Sequence, residues 1–179
     1  MKTVRRHTAA LNLPTLRLEG GLFLPDVLAK AAHGSARLQT EADYRLPKGL
    51  QFKDEIGRAF QIACAQWRSF APLLERADYD PQHAAASFIT ELLRDARHYP
   101  ITHWASAPGA GDAGPGLPIV VAPHTLGLDE PDTRFAITGS GSRKKTAFQL
   151  AQELLNASPV HQWALVSNGK TLRLLRDAA

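Results

Sequence analysis

The residues of this chain best suited to chemistry gather in its last third. Gly139-Ser140-Gly141-Ser142-Arg143-Lys144-Lys145 is a glycine-rich turn with a cationic tip, placed just ahead of an apolar-periodic segment. A turn of this kind running into a helix points backbone N–H groups at an anion, and the neighbouring cations suit a phosphate. The spacing that ends in Gly-Lys-Ser/Thr in nucleotide-binding loops is absent, which removes a P-loop. Two readings remain: a solvated basic tip and a contact to a DNA phosphate. The same turn is reminiscent of a methyl-donor loop, but no Asn-Pro-Pro-Tyr-like tetrad occurs in the chain to do methyl transfer.

A second group is acidic. Pro131-Asp132, followed by an apolar run and a helical pattern, matches the first half of the PD-(D/E)xK nuclease motif. In that motif two acids hold a divalent metal and a lysine helps to position or activate water. No Asp or Glu lies between Asp132 and Lys144, so the acid of the (D/E)xK half has no counterpart. Asp129, Glu130 and Asp132 then read either as a solvated acidic loop or, with Glu153 and with Lys144 or Lys145 near the water, as an unorthodox catalytic set. His98, His103, His124 and His161 lack tight metal-ligand spacing, and Cys64 is the one cysteine, so no metal site is expected. Trp67, Trp104 and Trp163 occupy apolar-pattern positions, where core packing is the default.

The charge distribution favours the ends of the chain. Residues 1–50 hold eight Lys/Arg against four Asp/Glu and residues 142–179 hold six against two, whereas residues 101–141 hold one against four. With a net charge of +4, a polyanionic partner is admissible and a basic face at the chain ends is its expected footprint. A composition of 44% hydrophobic and 21% charged residues supports a folded core and argues against disorder. No window approaches the length of a membrane span, and no signal-peptide pattern opens the chain. The expectation is a cytoplasmic protein.

These groups must be held by elements that the spacing also predicts. An extended arm precedes Gly20-Gly21, and a short helix is expected over Phe23–Ala32, with Pro25 in its first turn. Phe52, Ile56, Ala59, Phe60, Ala63, Trp67 and Phe70 mark one face of a long amphipathic helix that Pro72 bends or ends near Phe70. A further helix is expected over Pro81–Ala96. Strands are expected over Tyr99–Trp104, Leu117–Ala122 and Arg134–Thr138, then a helix over Lys144–Ala157. Last comes a hairpin of His161–Ser167 and Thr171–Leu175 turning at Asn168-Gly169. The expected fold class is α/β or α+β: an N-terminal arm and helical part over residues 1–97, then a mixed-sheet core over residues 98–179.

Several segments recur together in a known order. They are Glu19-Gly20-Gly21-Leu22 through Pro25-Asp26-Val27-Leu28, Asp43-Tyr44, the helix with Ala59 and Trp67, and Tyr99-Pro100-Ile101-Thr102-His103. Gln152-Glu153-Leu154-Leu155-Asn156 follows, and then Trp163 through Ser167-Asn168-Gly169 to Leu172-Arg173-Leu174-Leu175-Arg176-Asp177. Over about residues 15–177 the chain resembles the N-terminal region of large restriction-modification adenine methyltransferases, of the type IIG and DISARM-like phage-defence kind. The resemblance implies a bacterial DNA-modification enzyme with a restriction-nuclease-like front region. The methyltransferase, with its S-adenosylmethionine, would lie in a part of the polypeptide that this chain does not contain. Asp132 and Gln152 could match one metal-side acid and the helix glutamine of the nuclease pattern.

The leading expectation is therefore a DNA-associated, nuclease-like domain of a restriction-modification enzyme, without cleavage activity by itself. It would bind double-stranded DNA through Arg143, Lys144, Lys145, Arg173 and Arg176, and need no cofactor. The second reading is an endonuclease using Mg²⁺ with the acids named above. The third is an interaction scaffold with no nucleic acid involved.

Overall fold

The computed structural model describes residues 23–96, 117–136 and 144–176. The expected strand over Tyr99–Trp104 lies outside these residues, as do the basic cluster near the N-terminus, the glycine-rich turn and Arg143. The chain divides into two compact units, Met1–Glu55 and Ile56–Ala179.

In the first unit, Pro25–Ala32 forms helix α1 with proline in its first turn. Its end is a Schellman motif: Gly34, at φ 65°, donates to the Ala31 carbonyl, and Ser35 donates to the Lys30 carbonyl. The following loop is held by polar bonds. Gln39 Nε2 donates to the Ala31 carbonyl, the Asp43 carboxylate caps Thr40, and Tyr44 lies 4.5 Å from Phe52 between ring centres. None of the described residues up to Glu55 is buried.

Helix α2, Phe52–Phe70, runs into the second unit and ends where the sequence predicts, passing into a 3₁₀ turn over Ala71–Glu75 that contains Pro72. Its apolar face differs from the expectation. Only Phe70 is buried, while Ile56, Phe60 and Trp67 are exposed, Trp67 by 41%. Trp67 is therefore a rim residue, edge-on to Phe70 and Phe88, rather than a core one. Helix α3, Pro81–Glu91, starts at Pro81 under an Asp80 cap and continues as one π turn to Ala96.

The sheet has three strands: β1 (Ile119–Val121), β2 (Trp163–Ser167) and β3 (Leu172–Arg176), in that order. β1 runs parallel to β2, with Ile119 opposite Leu165, and β3 runs antiparallel to β2, with Leu165 opposite Leu174. Helix α4, Ala147–Ala157, connects β1 to β2 and covers one face, where Leu150, Ala151 and Leu155 meet Val120, Ala164 and Val166. The opposite face presents Ile119, Val121 and Leu165 to Phe70, Ala85, Phe88 and Ile89. β1 is buried throughout because helices cover it on both sides, which is why its sequence is an unbroken apolar run. The fold is α+β, with a helical part leading into a small mixed sheet. No helix among the described residues is long and apolar enough to cross a membrane.

Two element expectations are corrected. The start of the strand expected over Arg134–Thr138 is instead a 3₁₀ turn over Thr133–Phe135, because the Asp132 side chain accepts the Arg134 N–H and curls the chain there; residues 137 and 138 lie outside the described residues. The helix expected from Lys144 begins at Ala147: Lys145 is taken up in an antiparallel bridge with Asp132, and Thr146 is the cap.

Candidate functional site

The start of α4 gathers most of the predicted cations and acids, and local bonding explains how. Thr146 Oγ1 accepts the Gln149 N–H at 3.0 Å while Gln149 Oε1 accepts the Thr146 N–H at 3.0 Å, a reciprocal capping box. One residue earlier, Asp132 N–H donates to the Lys145 carbonyl at 2.8 Å and Lys145 N–H returns the bond at 3.3 Å. Lys144 and Lys145 are thereby fixed at the mouth of the helix. An open depression of about 340 Å³ lies there, lined by Lys144, Lys145, Gln149, Gln152 and Glu153. Lys144 is exposed, whereas Lys145 Nζ donates to Glu153 Oε2 at 2.7 Å.

Arg173 extends this face. It sits on the α4 side of β3, with its guanidinium 6.0 Å from the centre of the Phe148 ring. Phe148 and Gln152 are one turn apart on α4, so the arginine platform and the depression share one side of the helix. Both guanidinium arms of Arg173 donate to the Asp129 carboxylate, at 2.7 and 2.6 Å. Arg176 is not part of this surface. Successive residues of a strand alternate faces, so it lies on the other side of the sheet from Arg173, 5.6 Å from the Trp163 ring centre.

Each predicted acid has a hydrogen-bond partner of its own. Asp129 holds Arg173, Glu130 Oε2 accepts the Gly127 N–H at 2.7 Å, and Glu153 holds Lys145. Asp132 Oδ1 accepts both the N–H and the Nε–H of Arg134, at 2.9 and 3.0 Å. The Arg134 backbone N–H is the main cause that keeps its carboxyl below the usual range, with the Arg134 side chain and Lys144 adding to it. Two carboxylates facing one another are what a divalent-metal nuclease centre requires. Each of these four is instead bonded to a different N–H or cation. Among the described residues no three His, Cys, Asp or Glu side chains come together as ligands.

Comparison with protein-family models, curated proteins and solved structures finds no match.

Three features of the site are absent from the sequence reading. Gln149 carried a readable signal, since Thr146-Ala147-Phe148-Gln149 has capping-box spacing. The Phe148 platform and the Asp129–Arg173 pair had none, because they join residues far apart in the chain. Of the histidines, His161 Nδ1 lies 2.7 Å from Ser158 Oγ, and His124 is buried just after β1, edge-on to Phe70. His124 Nε2 has no hydrogen-bond partner among the described residues, and burial, aided by the charge of Lys170, pushes its pKa down.

Proposed function

We propose that this chain is a DNA-associated domain of a bacterial restriction-modification enzyme that holds the duplex backbone without cutting it. The observation that carries this reading is the basic depression at the start of α4, continued by Arg173 across Phe148. It is open and lined by two lysines, two glutamines and a glutamate, which suits a phosphate backbone approached from the side. Lys144 supplies an exposed charge, Lys145 and Arg173 supply charges in fixed positions, and Gln149 and Gln152 add amide donors to the rim. Arg176, on the opposite sheet face, takes no part in this surface.

Sequence discrimination and methyl transfer, with S-adenosylmethionine, would belong to another part of a larger methyltransferase polypeptide. The missing acid between Asp132 and Lys144 supports a role in holding DNA rather than cleaving it. The test is a duplex-binding titration at low salt, paired with a plasmid-nicking assay in Mg²⁺ or Mn²⁺. Binding that falls on joint replacement of Lys144, Lys145 and Arg173 by alanine, equally for unrelated sequences, supports the reading. Nicking that disappears in Asp132→Ala would replace it with the endonuclease, and no binding at all would favour a scaffold.

A further inference from the structure

We infer that Asp129 and Glu153 stand, in the DNA-free protein, where duplex phosphates stand in the complex, and so gate the basic face against weaker anions; this rests on the duplex-binding reading above. A carboxylate and a phosphate offer a guanidinium the same two-oxygen edge, and Asp129 takes Arg173 in that bidentate manner. In both pairs the acid is the more exposed partner. The Asp129 side chain is 65% exposed against 35% for Arg173, and Glu153 is 40% exposed against 15% for Lys145. An anion approaching from solvent therefore meets the carboxylates as well as the two cations they hold.

The pairs are built in by the backbone. Leu128 is buried and its carbonyl accepts the Phe148 N–H, while Gly127 and Glu130 close the turn that carries Asp129. Lys145 is pinned through its bridge to Asp132, and Glu153 lies on the second turn of α4. A tethered carboxylate competes at high effective concentration, so a single free anion displaces it poorly. A duplex presents several phosphates at once, and its contacts at Lys144 and along the rim help it to displace both acids together. The gate thus favours a polyanion over isolated phosphates or acidic side chains.

The test compares wild type with Asp129→Asn, Glu153→Gln and Glu75→Gln, the last an exposed acid in the turn after α2, by anisotropy with an arbitrary 20-base-pair duplex and with inorganic phosphate as competitor. Asp129→Asn and Glu153→Gln should each tighten duplex binding by about two- to fivefold, the worth of an exposed ion pair. Inorganic phosphate should compete better against these variants than against wild type. Variants that bind DNA while wild type does not would support the gate most strongly. Equal or weaker binding by folded variants, or an equal gain in Glu75→Gln, overturns it and leaves the duplex-binding reading standing. No binding by any protein removes both. If Asp129→Asn unfolds, Glu153→Gln, which changes only a surface pair, decides the question alone.

Discussion

Gly169 illustrates what a single residue contributes to this fold. It has φ 83°, and a Cβ there would lie 2.6 Å from Cζ of Phe70, so glycine is required both by conformation and by space. Gly169→Ala is expected to cost about 2–4 kcal/mol, the sum of overpacking and a left-handed backbone. Urea unfolding of the variant measures it, and a loss under 1 kcal/mol would mean that the turn can move off Phe70. His124 gives a pH dependence. Its pKa is lowered in the folded protein, so the unfolded chain binds the proton more readily. Stability is therefore full above the ordinary histidine value of 6.5 and declines as pH falls from there towards the folded pKa. His124→Gln should flatten the stability profile between pH 7 and 5, and an unchanged slope would assign the acid sensitivity to other groups. The sequence named His124 only as a poor metal ligand. Its surroundings are the Phe70 ring and the charge of Lys170, which no local spacing connects to it.

At the scale of elements, the capping box decides where α4 begins and so where Lys144 and Lys145 are presented. Thr146→Ala should destabilise the protein by about 1 kcal/mol, or a fall of about 2–4 °C in melting temperature for a chain of this size. Thr146→Ser should recover most of it, because the hydroxyl supplies the bond; a melting temperature unchanged in the alanine variant would show that the box contributes nothing. Much of the element order was readable from periodicity. α2 stops before Pro72, α3 starts at Pro81, and the two last strands form a hairpin. The turn lies one residue later than the Asn-Gly pair suggests: Ser167 is opposite Leu172 and the Asn168 N–H donates to the Thr171 carbonyl, leaving Gly169 and Lys170 between them. Asn168 Oδ1 accepts the N–H groups of Lys170 and Thr171, and Ser167 Oγ donates to the Thr171 carbonyl. Side-chain bonding of this kind shifts the turn from the position that the dipeptide alone would select. The 3₁₀ turn at Thr133–Phe135 escaped for the same reason, since the Asp132 side chain, not apolar patterning, set the backbone there.

For the molecule as a whole, the sequence identified the basic excess of residues 142–179 but not how the fold would distribute it. Strand alternation sends Arg173 and Arg176 to opposite faces, and Asp129 and Glu153 neutralise part of what remains. What survives is one cationic side of α4, and the account's central claim is that this side meets DNA phosphates. Counterion release makes the claim measurable: about four phosphate contacts should give a log–log slope of binding against salt on the order of −3 to −4. The most direct measurement is that slope for wild type and for the variant with Lys144, Lys145 and Arg173 all changed to alanine. The account predicts the steep slope in wild type and one flattened by about 2 to 3 in the variant, three lost contacts at about 0.9 each. Binding that ignores salt, or a slope identical in the two proteins, would contradict it.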